Sequence, residues 1–297
     1  MSKFYSGFVS IIGRPNVGKS TLMNYLLGEK IAIVSNKPQT TRNQIRGVLT
    51  EGDYQAVFID TPGMHKPKSK LGEYMAREAE NALDAVDVVL FVVEPSAHIG
   101  AGDMRIIERL KQSDSSVFLL INKIDTVARE KLLEVIDAYR SAFEFDEVVP
   151  VSALHGDNIE ALHREIKSRL PEGPKYFPDD TLTDQPERQI AAELIREKLL
   201  MLLDDELPHG TAVEILSMKK RDGKDMIDMD ATIYCERASH KGMIIGKHGA
   251  KLKVVGAQAR RDIERLLGSP IYLQLWVKVK KGWRDSNFML RNFGYEE

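Results

Sequence analysis

The feature that most constrains the fold is a glycine-rich segment placed between an apolar run and a helical pattern. Residues 13–20 read Gly-Arg-Pro-Asn-Val-Gly-Lys-Ser and match G-x-x-x-x-G-K-[ST]. A strand is predicted over 7–12, and a helix from Lys19 to Leu27. In such a strand–loop–helix unit the backbone N–H groups point at phosphate oxygens, and the helix dipole adds to the attraction. The segment therefore predicts a phosphate-binding loop in an α/β domain.

The residue types of this loop suit a nucleotide with its metal ion. Lys19 would neutralise the β- and γ-phosphates, and the Ser20 hydroxyl would coordinate Mg²⁺. A loop of this kind does not by itself distinguish ATP from GTP. We expect nucleotide contacts from every residue of the loop and from the next one: Gly13, Arg14, Pro15, Asn16, Val17, Gly18, Lys19, Ser20 and Thr21.

A second box, Asp-Thr-Pro-Gly, follows another apolar run and resembles a DxxG switch. Asp60 would hold Mg²⁺ through a water molecule, and the Gly63 N–H would sense the γ-phosphate. Ras-like enzymes orient the attacking water with a glutamine after this glycine, and Met64 cannot do so. We therefore expect slow intrinsic hydrolysis, or help from another group. The residues assigned to this box are Asp60, Thr61, Pro62, Gly63 and Met64.

Between these boxes lies Pro-Gln-Thr-Thr-Arg at 38–42. A GTPase needs a threonine here, whose hydroxyl joins Mg²⁺ when the γ-phosphate is present. Thr40 and Thr41 both qualify, and we favour Thr41. The predicted metal ligands are therefore Ser20 and Thr41, with Asp60 acting through water.

Two further boxes select the base. The Asp125 carboxylate can accept hydrogen bonds from N1–H and N2–H₂ of guanine, whereas adenine would leave it unpaired. The aliphatic stem of Lys123 can cover the base, and a backbone N–H of Ala153 would reach guanine O6. We assign to guanine the segments Asn122, Lys123, Ile124, Asp125 and Ser152, Ala153, Leu154.

The spacing of apolar runs predicts the fold class. Short strands alternate with helices through the first half, as in a doubly wound, mostly parallel sheet covered on both faces. Pro171, Pro174 and Pro178 then break the pattern. We expect a GTPase domain at 1–172, a linker at 173–187, and a smaller α+β domain at 188–297.

The charge and the motifs of the C-terminal residues predict an RNA-binding domain. Between 237 and 284 there are twelve basic and two acidic residues, a net charge of +10, although the whole chain carries −2. This stretch contains Ile-Ile-Gly-Lys-His-Gly, which resembles the GXXG turn of a KH module, and its element order favours type II. We expect the groove floor to come from the apolar face after the GXXG turn and from strand residues 229–235, and we expect Trp276 in the core. The RNA-binding candidates are Lys241, Ile245, Gly246, Lys247, His248, Gly249, Lys251 and Lys253.

Taken together, these motifs resemble the Era family of GTPases over the whole chain. The resemblance implies a GTP-hydrolysing switch that binds the single-stranded 3′ end of small-subunit ribosomal RNA and assists assembly of that subunit. It implies GTP or GDP with Mg²⁺ as ligands, and a K⁺ ion held partly by Asn16. Lys19, Thr41 and Asn16 are then the catalytic candidates. It also implies peripheral contact with the inner membrane surface for some members.

Other sequence features limit the remaining alternatives. The single cysteine, Cys235, allows no intramolecular disulfide, and no apolar run approaches 18 residues. We expect a cytoplasmic protein, peripheral on the membrane at most, and a monomer. The alternative is a membrane-associated regulatory GTPase whose basic patch binds anionic lipid or another RNA. A tRNA-modification GTPase would carry a cysteine near its C-terminus and a folate-type domain, and this chain has neither.

Overall fold

The computed structural model describes residues 3–63, 67, 69–83, 86–204 and 207–295. These residues form two compact units. The first comprises residues up to 34, 41–66 and 75–184, and the second comprises 35–40, 67–74 and 185–297. Each unit has its own sheet and its own core.

The first unit is the predicted doubly wound α/β domain. Its sheet has the order β2-β3-β1-β4-β5-β6, and only β2 runs antiparallel to its neighbour, β3. The strands are β1 (Tyr5–Ile12), β2 (Ile45–Glu51), β3 (Tyr54–Asp60), β4 (Val88–Val93), β5 (Ser116–Ile121) and β6 (Glu147–Pro150). The helices are α1 (Lys19–Leu27), α2 (Lys70–Asn81), α3 (Ala101–Leu110), α4 (Arg129–Ala142) and α5 (Ile159–Arg169), with the start of α2 assigned to the second unit.

The central strands are apolar on both faces because helices cover both faces. Every residue of β4 is buried. Val88, Leu90 and Val92 lie in one core cluster, and the residues between them lie in the other. This alternation confirms the two-sided burial predicted from the apolar runs, and it leaves only the strand ends for polar chemistry.

Most of the segment predicted as a linker, residues 173–187, packs on the first unit. Ser6 Oγ donates to the carbonyl of Pro174 at 2.6 Å, and Gln55 Nε2 donates to that of Phe177 at 2.9 Å. Residues 173–184 therefore pack on the first sheet. The buried polar side chains of Ser6 and Gln55, on the interior strands β1 and β3, thus find hydrogen-bond partners in this segment.

The second unit has the element order of a type II KH domain. It contains α6 (Glu187–Leu202), β7 (Ala212–Lys220), β8 (Ile227–Cys235), α7 (Ala238–Ile245), α8 (Ala250–Leu267), β9 (Ile271–Val279) and α9 (Asn287–Asn292). The sheet order is β7-β8-β9; β7 and β8 are antiparallel, and β8 and β9 are parallel.

The two tryptophans of this unit differ in burial. Trp283 is buried, and its indole N–H donates to the Gly210 carbonyl at 3.0 Å. Trp276 is 58% exposed, so the prediction that it belongs to the core is wrong. It points away from the helices on the edge strand β9, where alternate side chains face solvent. Over the described ranges, no helix is both long and apolar enough to cross a bilayer.

Candidate functional site

The phosphate-binding loop joins the end of β1 to the start of α1, and its glycines are required by its shape. Gly13 has φ +151° and Gly18 has φ +103°. A Cβ at Gly13 would lie 2.4 Å from the Val92 carbonyl oxygen, and one at Gly18 would lie 2.2 Å from Asn122 Nδ2. Only glycine fits at either place. The loop is thus held against the ends of two neighbouring strands.

Lys19 is buried inside this loop. Its ammonium donates to the carbonyl oxygens of Gly13 and Arg14, at 3.1 and 3.0 Å. Burial lowers the pKa of Lys19 to about 8, although the nearby Asp60 carboxylate acts in the opposite direction. The charge is poorly compensated by neutral carbonyls, so an anionic phosphate in the loop would stabilise it.

Three oxygen atoms converge where the predicted metal ligands lie. Ser20 Oγ donates to Asp60 Oδ2 at 2.6 Å and lies 2.9 Å from Thr41 Oγ1. Thr41 Oγ1 is 3.4 Å from Asp60 Oδ2. Oxygens at adjacent positions of an octahedron around Mg²⁺ lie about 3.0 Å apart, given bonds of about 2.1 Å. The donor set and spacing therefore fit Mg²⁺, with Asp60 close enough to act through water.

Asp60 supports this interpretation through its burial. Burial raises the pKa of its carboxyl group, while Lys19 and the Ser20 hydroxyl oppose the shift. A buried carboxylate gains when a divalent cation approaches, because the cation offsets the lost hydration.

The structure distinguishes the two candidate threonines. Thr41 contacts the oxygen cluster described above, whereas the Thr40 hydroxyl donates to the Lys37 carbonyl at 2.6 Å and lies 2.7 Å from Ser35 Oγ. This geometry favours Thr41 as the metal ligand. Gly63 lies against the loop, where a Cβ would come within 2.6 Å of the Pro15 nitrogen. Met64 lies outside the described residues.

The base-recognition boxes meet at the carboxyl ends of β5 and β6. Asn122 Nδ2 donates to the Val17 carbonyl at 2.8 Å, and Asn122 Oδ1 accepts from the Ala153 N–H at 2.9 Å. Asn122 thus joins the phosphate loop to the 152–154 box. The Ala153 N–H would have to share its hydrogen bond to reach guanine O6, so that contact remains a prediction.

Asp125 is pre-oriented for the base. Ser152 Oγ donates to Asp125 Oδ1 at 2.7 Å, and this hydrogen bond lowers the pKa of Asp125. Lys123, at φ +64°, directs its ammonium to the Asn16 carbonyl at 2.8 Å. An ionised carboxylate beside an extended lysine stem is the arrangement that guanine requires.

The remaining nucleotide candidates are placed around this core. Arg14 pairs through Nε with the buried Asp103 at 2.9 Å, so its side chain serves the loop's own structure. Thr61 donates to the Ile11 carbonyl at 3.0 Å. Leu154 is 69% exposed, and Asn16 is exposed with φ +66°. Val17 and Pro62 are buried, and Pro15, Thr21 and Ile124 are partly buried.

One charged residue of this site, Glu94, does not follow from the sequence motifs. Glu94 Oε1 is 2.5 Å from the Lys123 ammonium, and Oε2 is 3.7 Å from Arg14. Glu94 comes directly after the apolar run of β4. Since polar residues at the carboxyl ends of parallel strands line the ligand crevice, that position was the available signal.

In the second unit the GXXG turn links α7 to α8. Gly246 has φ +72° and Gly249 has φ +77°, and His248 also has a positive φ, +52°. A Cβ at Gly246 would come within 3.0 Å of Lys251. Lys241, Lys247, His248, Lys251 and Lys253 are exposed, and Ile245 is partly buried. The turn thus presents backbone and positive charge to solvent, as phosphate binding requires.

A groove of about 530 Å³ runs beside this turn, between α8 and β9. Leu252, Gly256 and Lys253 line it from α8, and Leu273 and Leu275 from β9. The groove is thus lined by the apolar face after the GXXG turn, as predicted, whereas the prediction that residues 229–235 also form its floor is wrong. Those residues belong to β8, the central strand, whereas β9 is the edge strand that faces the groove.

Fold and sites together define a P-loop GTPase joined to a type II KH domain. Two family profiles match: "50S ribosome-binding GTPase" over residues 8–123 and "KH domain" over 206–284. GTPase Era of Alkaliphilus metalliredigens is 57% identical over 293 residues, covering 99% of both chains. GTPase Era of Clostridioides difficile is 57% identical over 295 residues, again covering 99% of both.

Solved structures agree with these relatives. A crystal structure of Era with MgGDPNP and nucleotides 1506–1542 of 16S ribosomal RNA is 40% identical with TM-score 0.96, covering 99% of this chain and 100% of that one. Aquifex aeolicus Era bound to GDP·AlF₄⁻ is 40% identical with TM-score 0.95 and the same coverage. The chain belongs to the Era family of GTPases.

Proposed function

We propose that this GTPase is a GTP-dependent switch that binds single-stranded RNA at the 3′ end of small-subunit ribosomal RNA and assists assembly of that subunit. The observation that carries this proposal is the groove between α8 and β9, which is apolar at its floor and bordered by Lys253 and the exposed turn at 246–249. Such a groove suits unpaired bases, and the turn suits their backbone. An Era of known structure binds the corresponding RNA.

The nucleotide chemistry follows from the first unit. We assign GTP or GDP to the loop, with Asp125 accepting from guanine and Lys19 on the phosphates. When bound, Mg²⁺ supplies positive charge to the β- and γ-phosphates. Ser20 and Thr41 would hold it directly and Asp60 through water, since their oxygens lie 2.6–3.4 Å apart. The Thr41 hydroxyl would join the metal only when the γ-phosphate is present.

The hydrolysis step needs a group that offsets charge on the transferring phosphoryl. We propose that K⁺, held partly by Asn16, supplies it, as the family resemblance implies. Asn16 is exposed at the rim of the loop in a left-handed conformation. The matching test is hydrolysis in K⁺ and in Na⁺ buffers of equal ionic strength, with Asn16→Ala expected to abolish the difference.

RNA binding and hydrolysis would be coupled. Residues 35–40, which immediately precede Thr41, belong to the same compact unit as the KH elements. Within that unit the buried Arg196 donates from Nη2 to the Thr40 carbonyl. RNA that stabilises this unit would therefore shift the conformational equilibrium of residues 35–40, which lead to Thr41. By linkage, RNA must change the affinity for the nucleotide by the same factor by which the nucleotide changes the affinity for RNA.

The test measures GTP hydrolysis with and without an RNA of nucleotides 1506–1542 of 16S ribosomal RNA. We expect stimulation in the unaltered protein and none in Gly246→Asp, because a carboxylate at φ +72° both strains the turn and repels phosphate. Gly268→Asp is the matched control, since Gly268 has φ +62° at the far end of α8. Hydrolysis indifferent to this RNA would refute the coupling.

The same proteins test the membrane alternative. In that interpretation the basic surface binds anionic lipid, and phosphatidylglycerol vesicles would compete with the RNA. Binding that depends on the base sequence of the RNA, and survives excess vesicles, would support the ribosomal function and a cytoplasmic site of action. Vesicle binding that RNA cannot displace would favour the alternative.

A further inference from the structure

The outer face of the KH sheet carries an unexpected pair of exposed aromatic side chains. On β9, Tyr272 is 50% exposed and Trp276 is 58% exposed. Both project from the same face, because they are four residues apart on a strand. The opposite face of β9 carries Ile271 and Val277, which are buried toward the helices. Burial of the core therefore does not explain the outer pair.

The residues of β9 that share this face with the pair are polar or basic. Gln274 lies between the two aromatics on the same face and is exposed, as is Lys278 beyond Trp276. The Arg221 guanidinium lies over the Tyr272 ring, 5.3 Å from its centre, and pairs with Asp228. We call the exposed residues Tyr272, Gln274, Trp276 and Lys278 the outer strip.

The outer strip is continuous with the RNA groove. Tyr272 also lines the groove between α8 and β9, so it stands at the edge where the two faces of the strand meet. A chain leaving the groove past Tyr272 would next meet Gln274 and Trp276. The aromatic pair spans about 13 Å along the strand, at about 3.3 Å per residue. That spacing accommodates a few nucleotides of an extended strand.

We propose that the outer strip is a second binding surface for single-stranded RNA, which receives nucleotides that extend beyond the groove. This inference rests on the proposed function. One KH groove clamps about four nucleotides, and the RNA proposed above is much longer. Every base has a π-face that can stack on Trp276 or Tyr272.

The chemistry of the strip favours RNA over a protein partner. Cores of protein interfaces are depleted in charged residues, whereas here Lys278 adjoins the exposed indole, and Lys280 and Lys281 follow it. Phosphates would lie toward these lysines. The carboxylates on the same face, Asp230 and Glu214, would lie toward the bases, whose amino groups can donate hydrogen bonds to them.

One buried polar group on this face supports the proposal that a ligand binds there. The Thr232 hydroxyl is buried and makes no hydrogen bond within the part of the chain that the structure describes. Thr232 is the register partner of Trp276 on β8. Buried hydroxyls are nearly always hydrogen-bonded, so a base that displaced the indole slightly would offer this group a partner.

The experiment compares two RNA lengths on the full chain. Pentanucleotides tiled across nucleotides 1506–1542 of 16S ribosomal RNA identify the tightest groove ligand, which is then extended by five natural nucleotides on each side. In the unaltered protein we expect the extension to tighten binding about tenfold or more, because at least one further base would stack on an aromatic ring. Trp276→Ala should lose that gain and keep the affinity for the pentanucleotide, while Trp276→Phe keeps most of both.

A matched control and a second signal accompany this comparison. Phe288→Ala removes an aromatic side chain that is even more exposed than Trp276, 71% on α9, and should change neither affinity. The chain has two tryptophans, and Trp283 is buried. Quenching of tryptophan fluorescence by the extended RNA, with little quenching by the pentanucleotide, would therefore report stacking on Trp276.

Three results would overturn the proposal. The first is an extension that tightens binding equally in Trp276→Ala, which would leave the face to a protein partner. The second is equal weakening of both RNAs, which would place Trp276 in the groove. The third is no gain from extension in the unaltered protein. If that protein bound neither the pentanucleotides nor the full segment, the proposed RNA function itself would fail.

Discussion

Ser20 Oγ donates a hydrogen bond to Asp60 Oδ2 at 2.6 Å, joining the first turn of α1 to the end of β3. Forty residues separate the two in sequence. Because β1 and β3 are parallel neighbours, their carboxyl ends bring the loop and the aspartate to one edge of the sheet. Strand pairing thus brings together the residues proposed to hold the metal.

Removal of the Ser20 hydroxyl tests this arrangement. We expect Ser20→Ala to raise the Mg²⁺ concentration needed for half-maximal GTP hydrolysis by about tenfold or more, because one inner ligand is lost. The measurement is the hydrolysis rate against Mg²⁺ concentration. Ser141→Ala, on the exposed face of α4, is the control and should match the unaltered protein. An unchanged Mg²⁺ dependence in Ser20→Ala would contradict the assignment.

The two adjacent threonines offer a matched pair. Thr41→Ala should slow GTP hydrolysis by about tenfold or more and leave GDP affinity nearly unchanged, because its hydroxyl is needed only when the γ-phosphate is present. Thr40→Ala should have a smaller effect on hydrolysis, since its hydroxyl bonds to the Lys37 carbonyl and Ser35. Single-turnover hydrolysis and GDP titration distinguish them. The opposite ranking would assign the metal to Thr40.

Burial of Lys19 predicts proton uptake on nucleotide binding. Its pKa is lowered to about 8, and phosphate charge would raise it again, so the bound state takes up a proton. Near pH 8 we expect about 0.5 proton per nucleotide, falling toward pH 7. Affinity should fall as the pH rises above about 8. In the nucleotide-free protein the same shift lowers the free energy of unfolding. This loss is complete below about pH 8 and disappears as the pH rises toward 10.5.

Calorimetry in buffers of different ionisation enthalpy measures this uptake. The nucleotide's own titration is removed by comparing Lys19→Gln, which should lose the uptake, with Lys111→Gln, at the exposed residue that follows α3, which should retain it. Equal uptake in all three proteins would show that Lys19 remains fully charged.

Asp125 should control base selectivity. In Asp125→Asn the side chain offers an N–H₂ donor toward guanine N1–H and N2–H₂, so we expect GDP affinity to fall by about 100-fold or more. Xanthosine diphosphate, with a carbonyl at C2, should bind this variant better than GDP does. Fluorescent nucleotide titrations measure both.

Ser152→Ala is the companion variant. It keeps the Asp125 carboxylate and removes the hydrogen bond that orients it, so guanine preference should persist with an affinity loss of about tenfold. A loss as large as that of Asp125→Asn would mean that Ser152 contacts the nucleotide itself.

The base and phosphate boxes could be predicted because each is short and its chemistry lies within a few consecutive residues. Asn122–Asp125 follows a buried strand, so its place at the sheet edge follows from strand polarity alone. Glu94 was missed because one acidic residue after an apolar run carries no motif. Its role appears only when β4 and β5 bring it to Lys123.

The two misplaced predictions in the KH domain have one cause. Periodicity shows that β9 alternates, but it does not show which alternate residues face the helices or which strand lies at the sheet edge. The groove therefore forms along β9 and not β8, and Trp276 faces solvent.

The sequence by itself determined the loop that binds phosphate, the carboxylate that selects guanine, the KH turn and the order of elements, because these depend on local residue types and their spacing. Only the tertiary structure separated Thr41, beside Ser20 and Asp60, from Thr40, placed the groove on β9 and exposed Trp276. Those outcomes depend on contacts between residues far apart in sequence, and strand order and side-chain packing set them only once the chain has folded.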